Sequence, residues 1–173
     1  LGDVYKRQDH AEENCTGKHD HLIIGSSISG NTLLNAEDSI GGGMYVGTVS
    51  SVTIRNSSVM KNDGAIQGGA IVAYSAGTIE LDNVSAIENT AKSGAGIFIM
   101  GTAGDTTLKL LNGTKIDSNE ASGYGGGIYV FAGGGKANVT VENSSVSSNT
   151  AYGGAGIFTY AGADTAAINV SLL

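Results

Sequence analysis

A five-residue block of two small residues followed by alternating apolar residues recurs five times along the chain. We call it the glycine block, and its copies are GGMYV, GAIVA, AGIFI, GGIYV and AGIFT, centred on Met44, Ile71, Ile97, Ile128 and Ile157. Successive centres are separated by 27, 26, 31 and 29 residues. A repeat of this length constrains the fold strongly, because each unit can bury its apolar residues only against its neighbours.

Two further blocks occur once per repeat. The alternating block reads VTIRN from Val52, IELDN from Ile79, LKLLN from Leu108 and VTVEN from Val139. The asparagine block places an apolar residue shortly before Asn, in the pairs Ile28 and Asn31, Val59 and Asn62, Ile87 and Asn89, Ile116 and Asn119, and Val146 and Asn149. Alternation with a period of two predicts strands with one buried face. The many Gly and β-branched residues argue against helices.

Three short strands in each period of about 29 residues predict an all-β fold, a right-handed parallel β-helix of about five to six coils. Equivalent residues then stack through parallel ladders, and parallel crossovers are right-handed in nearly all proteins. The absence of Pro agrees, because interior coils need every backbone N–H for the ladders. We expect Gly and Asn at the corners, where they tolerate positive φ, with Asn side chains bonded along the axis.

The inward side chains of the predicted coil form three walls. The glycine blocks supply Ile71, Ile97, Ile128 and Ile157 with Val46, Ala73, Ile99 and Val130. The alternating blocks supply Val52 with Ile54, Ile79 with Leu81, Leu108 with Leu110, and Val139 with Val141. The asparagine blocks supply Val59, Ile87, Ile116 and Val146. These walls enclose an aliphatic core.

The repeat covers residues 22–173 and leaves two segments outside it. Residues 1–8, LGDVYKRQ, back-translate to a string that resembles a transposase adapter from sequencing libraries, so we interpret them as an assembly artefact. Residues 9–21 are polar and predict an irregular loop. The segment Ala167 to Val170 restarts the alternating block and then stops, so we expect a solenoid truncated at its C-terminal end.

Composition and charge exclude several classes of function. The net charge is −7 with nine Lys and Arg, which argues against nucleic acid or an anionic membrane surface as a partner. No stretch reaches the ~18 apolar residues of a membrane helix. The chain has no phosphate-loop motif, and its one Cys excludes an internal disulfide. The cluster of His10, Cys15, His19, Asp20 and His21 matches no zinc pattern, so we expect neither a metal nor a cofactor.

The outer face of the glycine blocks is the candidate binding strip. Its stacked residues are Tyr45, Val72, Phe98, Tyr129 and Phe158. An exposed row of apolar and aromatic side chains suits binding of sugars or of a protein partner. The alternative is that these residues pack under loops or simply favour strands.

The outer face of the alternating blocks carries the charged candidates. Arg55 lies one coil from Asp82, and Glu80 lies one coil from Lys109. Such pairs support a sheet modestly, although paired carboxylates can also act on a glycosidic bond. Because no coil carries a dense carboxylate cluster, we expect no catalytic site in this segment.

The glycine and asparagine blocks resemble a known family. Gly68 to Ile71, GGAI, matches the GGA[I/L/V] motif of the polymorphic outer-membrane protein adhesins, and GGGIY and GAGIF are close variants. The FxxN motif of that family has its counterpart in Val59-x-x-Asn62 and Ile116-x-x-Asn119, with an aliphatic residue in place of Phe. The chain is also similar to other bacterial surface proteins with right-handed β-helix repeats. The resemblance implies an autotransporter passenger at the cell surface or outside the cell, and it carries over no catalytic residue.

Taken with the residues, the resemblance predicts an adhesin-like binding surface or stalk for glycans or surface proteins. Two alternatives stay open: a non-catalytic portion of a carbohydrate-active, pectate-lyase-like β-helix enzyme, and a purely structural spacer. We also expect the isolated chain to self-associate end to end, because its last coil exposes apolar core and free strand edges.

Overall fold

The computed structural model describes residues 20–33, 39–47, 51–64, 66–74, 77–102 and 104–173. These residues form eighteen strands. In chain order the strands are β1 (Asp20–Ile24), β2 (Ser27–Ser29), β3 (Met44–Gly47), β4 (Ser51–Arg55), β5 (Ser58–Met60), β6 (Ile71–Tyr74), β7 (Thr78–Asp82), β8 (Ser85–Ile87), β9 (Thr90–Ser93), β10 (Ile97–Gly101), β11 (Thr106–Leu111), β12 (Lys115–Asp117), β13 (Glu120–Tyr124), β14 (Ile128–Ala132), β15 (Lys136–Val141), β16 (Ser145–Ser147), β17 (Ile157–Ala161) and β18 (Ala167–Leu172). The described part of the chain contains no helix that is long and apolar enough to cross a membrane.

Sixteen of these strands form three parallel sheets that wind into a solenoid of about five coils. Sheet 1 has the order β1-β4-β7-β11-β15-β18, sheet 2 the order β2-β5-β8-β12-β16, and sheet 3 the order β3-β6-β10-β14-β17. The alternating blocks form sheet 1, the asparagine blocks sheet 2 and the glycine blocks sheet 3. Each coil adds one strand to every sheet, so equivalent residues stack in register. The predicted parallel all-β coil is confirmed.

The core is the aliphatic interior of this coil. Its fully buried larger side chains include Ile71, Ile97, Ile99 and Ile128 from sheet 3 and Ile54, Ile79, Leu81, Leu108 and Leu110 from sheet 1. These are residues of the predicted first and second walls, so both walls are confirmed. Full burial of such a side chain stabilises the fold by about 1.5–3 kcal/mol relative to its exposure.

The third wall differs from the prediction at Ile87. The register of sheet 2 pairs Val59 with Ala86 and Ile116 with Ala86, whereas Ile87 lies beside Asp117 on the outside. The inward residue of this coil is therefore Ala86. The sequence does contain the signal: Val59 and Ile116 both lie three residues before an Asn, and so does Ala86.

The small side chain of Ala86 coincides with a residue larger than glycine, Ala70, at the position that glycine holds in the neighbouring coils. A Cβ added at Gly43 would lie 2.8 Å from Val59 Cγ1, and one at Gly96 would lie 2.7 Å from Ile116 Cγ2. Glycine suits these positions because a backbone carbonyl oxygen of the next coil, at 2.6 Å from Gly43 and 2.4 Å from Gly96, and the third-wall side chain together leave no room for a Cβ. In the intervening coil Ala70 takes the glycine position, and the third wall correspondingly carries Ala86. Volume is thus conserved across the core.

The two kinds of Asn have different roles. Asn56, Asn83, Asn112 and Asn143 occupy left-handed corners with φ between 46° and 54°, as expected. At the other corner the left-handed residue is the one before the Asn, at Lys61, Glu88, Ser118 and Ser148. The prediction of positive φ for the second kind of Asn is therefore wrong. Its side chain turns inward instead.

The inward Asn side chains form a buried hydrogen-bond ladder. Asn62 Nδ2 donates to Asn89 Oδ1 at 3.1 Å, and Asn89 Nδ2 donates to Asn119 Oδ1 at 2.9 Å. The backbone N–H of each Asn donates to the same oxygen of the next coil. All three side chains are almost fully buried. Their hydrogen bonds therefore remove the desolvation penalty of three amides at this corner.

Some coils have a short fourth side, which the sequence analysis did not predict. Strands β9 and β13 pair in parallel between sheets 2 and 3. Ala91 and Ala121 pack there in a small cluster with Ala95. Their methyl groups are buried at this corner, and some coils therefore have four segments instead of three.

The start of the solenoid also differs from the prediction. Strand β1 begins at Asp20 rather than at Leu22, and Asp20 pairs with Ser51 of β4. The boundary of the polar loop at residue 21 is therefore wrong. Residues 1–8 and 9–19 lie outside the described residues.

Thr106 is expected to be a site of stabilising substitution. Its side chain is fully buried, and its hydroxyl has no hydrogen-bond partner among the described residues. Thr106→Val removes this polar group without changing the side-chain shape, so we expect a gain of up to about 1 kcal/mol in the free energy of unfolding. Urea denaturation followed by circular dichroism measures it.

Thr114→Val is the matched control. Thr114 is also fully buried, but its Oγ1 accepts a hydrogen bond from the Val84 N–H at 3.1 Å and donates to the Leu81 carbonyl oxygen at 2.9 Å. Its replacement should cost about 1–3 kcal/mol because the Val84 N–H loses its acceptor. Equal losses in the free energy of unfolding for Thr106→Val and Thr114→Val would contradict the assignment of the Thr106 hydroxyl as unpaired.

Candidate functional site

The aromatic residues of the described chain all lie on one side of the solenoid. Seven project from the outer face of sheet 3, and two lie at its edge. The outer-face residues are Tyr45, Tyr74, Phe98, Tyr129, Phe131, Phe158 and Tyr160, and the edge residues are Tyr124 and Tyr152. We call these nine residues the aromatic face. Since alternation turns the Ile and Val residues of the same strands inward, the aromatic side chains are left outside.

The predicted strip is stacked in register as expected. Tyr45 pairs with Val72, Val72 with Phe98, Phe98 with Tyr129, and Tyr129 with Phe158. Exposure, however, is uneven along it. Val72 is fully buried and Phe98 is 2% exposed, so the expectation of an open strip is wrong for these two residues. Tyr45 is half exposed.

Glycine turns before the strands lie against these outer residues. Gly68 and Gly94 have φ values of +62° and +61°. A Cβ added at Gly94 would lie 2.9 Å from Phe98 Cβ, and one at Gly68 would overlap Val72 Cγ2. Each turn therefore folds its backbone over the outer residue of the following strand. The packing alternative therefore holds at Val72 and Phe98, but the turn alone does not decide exposure, because the same turn at Gly41 lies against the half-exposed Tyr45.

The aromatic rings of the last coils form one contact cluster. Phe98 and Tyr129 stack with ring centroids 4.9 Å apart, and Tyr129 and Phe158 are 5.0 Å apart. Tyr124 covers Phe158 at 4.7 Å and meets Tyr152 edge-on at 6.0 Å. These spacings fall in the range in which aromatic pairs attract each other. The rings are therefore held as a preformed surface.

A second column on the same face was missed from the sequence. Gly47, Tyr74, Met100, Phe131 and Tyr160 are paired in register, two residues beyond the predicted strip. Phe131 and Tyr160 stack at 5.7 Å. Extending the period-two alternation by one step along each strand would have identified this column.

The aromatic face combines exposed rings with neutral polar groups. Tyr152 is 84% exposed, Tyr160 52% and Tyr124 42%. Burial raises the pKa of the Tyr129 phenol, and the neighbouring phenols of Tyr160 and Tyr124 raise it further. No member of either column is Asp, Glu, Lys or Arg. The surface therefore offers ring faces and phenol hydroxyls to a ligand, without formal charge.

The charged candidates lie on sheet 1, and the structure pairs them. Arg55 Nε is 3.3 Å from Asp82 Oδ2, and Arg55 Nη2 is 3.4 Å from Glu80 Oε1. The guanidinium of Arg55 therefore forms ion pairs with both carboxylates. Partly exposed pairs of this kind contribute about 0–1 kcal/mol, which suits support of a sheet.

The polar cluster before the repeat is only partly within the structure. His10, Cys15 and His19 lie outside the described residues. Asp20 and His21 belong to β1, where Asp20 Oδ1 accepts a hydrogen bond from Ser51 Oγ at 2.5 Å. No three His, Cys, Asp or Glu residues among those described are grouped to hold a metal ion.

Comparison with known proteins agrees with the coil. A family model described as a right handed beta helix region matches residues 14–172. No curated protein and no solved structure matches the chain. The matched region contains every strand of the three parallel sheets, each with one strand per coil. The chain therefore belongs to the right-handed β-helix family.

Proposed function

We propose that this chain is a binding segment of a bacterial surface-exposed or secreted β-helix protein, adhesin-like in the manner of autotransporter passengers. The observation that carries the proposal is the placement of all described aromatic residues on one side, outside an interior core cluster that contains none. The similarity of GGAI and the Asn motifs to the polymorphic outer-membrane protein adhesins supports the surface setting.

Exposing a cluster of aromatic side chains to water is unfavourable unless a binding partner covers it. Tyr124, Tyr152 and Tyr160 together present rings on neighbouring coils, and contiguous apolar patches on soluble proteins commonly mark interaction sites. Tyr is well suited to this role because it offers a large rigid apolar surface and a hydroxyl at low entropic cost. The absence of charge on both columns favours neutral glycans or uncharged protein surfaces as partners.

The solenoid supplies the rigidity that such a surface needs. The rings project from parallel strands about 4.8 Å apart, whose opposite faces are locked into the aliphatic core. A partner therefore meets side chains that are already positioned, which lowers the entropic cost of binding.

Binding is tested with tyrosine fluorescence, because the chain has no Trp to mask the signal. The parent and a Tyr124→Ala, Tyr152→Ala, Tyr160→Ala variant are titrated with cellohexaose, maltohexaose and mannohexaose and applied to immobilised extracellular-matrix proteins. At least one probe should bind the parent, and the variant should bind it at least about tenfold more weakly, since buried interface aromatics commonly contribute over ~1 kcal/mol each.

Thr140→Ala, on the outer face of sheet 1, is the matched control and should bind like the parent. If the triple variant binds every probe as tightly as the parent, the aromatic face is not the binding surface. If the parent binds none of them, the structural spacer is favoured. Turnover of an oligosaccharide by the parent would instead favour the enzyme alternative.

A further inference from the structure

A polar groove lies on the fourth side of the solenoid, next to the aromatic face. It is an open cavity of about 290 Å³, close to the lower limit of the ~300–1,000 Å³ that small-molecule sites commonly occupy. Its lining comes from three coils and consists of Asp63, Thr90, Ala91, Lys92, Glu120 and Ser122. We call this cavity the fourth-side groove.

Strands β9 and β13 fix the backbone of the fourth-side groove. Ala91 pairs with Ala121, and their side chains are buried in the small cluster with Ala95. Alternation along the two strands then turns the neighbouring side chains of Lys92 and Ser122 outward, where both are exposed. The polar groups therefore project from strands that are anchored to the interior.

The polar side chains of the groove have hydrogen-bonding capacity to spare. Lys92, Glu120 and Ser122 are exposed, and none of their side chains forms a hydrogen bond or an ion pair with another described residue. The charged cluster of sheet 1 differs, because its guanidinium is already paired with two carboxylates. An ammonium offers only donors, a carboxylate only acceptors, and a hydroxyl both. The groove therefore presents unpaired donors and acceptors side by side.

A β-bulge places an aromatic ring at one end of the groove. Strand β13 has one residue more than β9 between their paired ends, because the register shifts between Ala121 and Tyr124. Ser122 and Tyr124 are both exposed as a result, and bulges commonly re-aim side chains beside functional sites. The Tyr124 ring lies 4.7 Å from that of Phe158 and 6.0 Å from that of Tyr152. The groove therefore adjoins the aromatic face through Tyr124.

This combination of groups fits a neutral sugar. The hydroxyls of a pyranose ring each donate and accept, so they match the ammonium, carboxylate and hydroxyl groups of the groove. The C–H groups on the face of the ring match a tyrosine side chain. Two carboxylates and one ammonium leave the groove with one negative charge, and the whole chain carries −7. An anionic sugar is therefore repelled.

We propose that the fourth-side groove is the polar subsite for a neutral glycan. Lys92, Glu120 and Ser122 bind the hydroxyls of one sugar, and Tyr124 with Tyr152 stacks on the sugar that follows. The proposal rests on the proposed function, because it assigns a glycan rather than a protein surface as the partner of the aromatic face. The rings supply apolar contact, and the groove supplies the few directed polar contacts that give specificity.

Two matched double variants test the subsite by calorimetric titration. The groove variant carries Lys92→Ala and Glu120→Ala, and the control carries Lys109→Ala and Glu142→Ala on the side of sheet 1, so each loses one ammonium and one carboxylate. The probes are cellohexaose, maltohexaose, mannohexaose and the anionic hexagalacturonate. We expect a neutral hexaose to bind the groove variant at least about tenfold more weakly than the parent, and to bind the control like the parent. Hexagalacturonate should bind the parent more weakly than that hexaose.

Two further measurements separate binding from folding. The groove variant should unfold at the parental urea concentration, because both replaced side chains are exposed. Glu120→Gln should lose less affinity than Glu120→Ala, because the amide keeps one acceptor oxygen. Equal losses for these two single variants would contradict a hydrogen bond from the glycan to Glu120.

The outcomes also distinguish this proposal from the proposed function. If the triple Tyr variant loses glycan affinity while the groove variant binds like the parent, the groove is not a subsite, although the aromatic face still binds. Binding of the parent to a matrix protein alone, or tighter binding of hexagalacturonate than of every neutral hexaose, would likewise overturn the neutral-glycan subsite only. A parent that binds none of the probes would contradict both proposals.

Discussion

Ile128→Asp is expected to abolish cooperative folding of the chain at room temperature. Ile128 is fully buried in β14, where it pairs with Ile97 on one side and Ile157 on the other. A carboxylate there would be surrounded by aliphatic side chains, and its burial without a partner costs several kcal/mol. Loss of more than about 4 kcal/mol is comparable with the whole stability of an ordinary domain. Circular dichroism during urea or thermal unfolding measures the effect.

Two controls separate the charge from the position. Ile128→Val keeps an aliphatic side chain and should cost only about 0.5–1.5 kcal/mol. Thr140→Asp introduces the same carboxylate on the outer face of sheet 1 and should change stability by less than about 0.5 kcal/mol. If Ile128→Asp unfolds at the same urea concentration as the parent, the assignment of Ile128 to the inner wall is wrong.

Asn89→Ala is expected to cause the next largest loss, about 3 kcal/mol or more. Asn89 is fully buried, and its Oδ1 accepts from the N–H and Nδ2 of Asn62 at 3.0 and 3.1 Å. Its Nδ2 donates to Asn119 Oδ1 at 2.9 Å and to the Val59 carbonyl oxygen at 3.0 Å. Removing the side chain leaves buried donors and acceptors unpaired in two neighbouring coils. The loss is measured by urea denaturation.

Asn89→Asp adds a pH dependence with a defined sign. The oxygen that replaces Nδ2 would face the Val59 carbonyl and Asn119 Oδ1, so burial and these acceptors raise the pKa of the new carboxyl above its value in the unfolded chain. The folded state then binds the proton more tightly than the unfolded state. Stability is highest below the unfolded pKa and falls as pH rises through the folded pKa. The urea midpoint should therefore drop between about pH 4 and about pH 7.

Asn138→Asp is the control for this effect. Asn138 Oδ1 accepts a hydrogen bond from Asn169 Nδ2 at 2.9 Å at an exposed site, and an Asp keeps that acceptor. Its pH profile should follow that of the parent, as should the profile of Asn89→Ala. A pH-independent Asn89→Asp variant would argue against a buried ladder.

The sequence alone was sufficient to predict the coil and most of its core residues. Ile97 and Ile128 could be assigned to one inward column because they recur at the coil length and alternate with outward residues. Alternation is local because it depends only on neighbours in the chain, and recurrence at the coil length is visible in the spacing of the repeats. The corner role of Asn83 was predictable for the same reason, because its left-handed conformation follows from its own side chain.

What only the tertiary structure decided is which outward residues are exposed and which residues of neighbouring coils pack against each inward side chain. Phe98 alternates like Tyr45, yet Phe98 is 2% exposed and Tyr45 is half exposed, although a glycine turn lies against each of them. The three-residue spacing to Asn places Ala86 inward, but only the structure shows that this small residue occurs in the coil next to Ala70, which occupies the position of Gly43 and Gly96. These outcomes depend on volume and on segments brought together by the winding. Alternation specifies the side of a strand, whereas packing between coils determines what lies against that side.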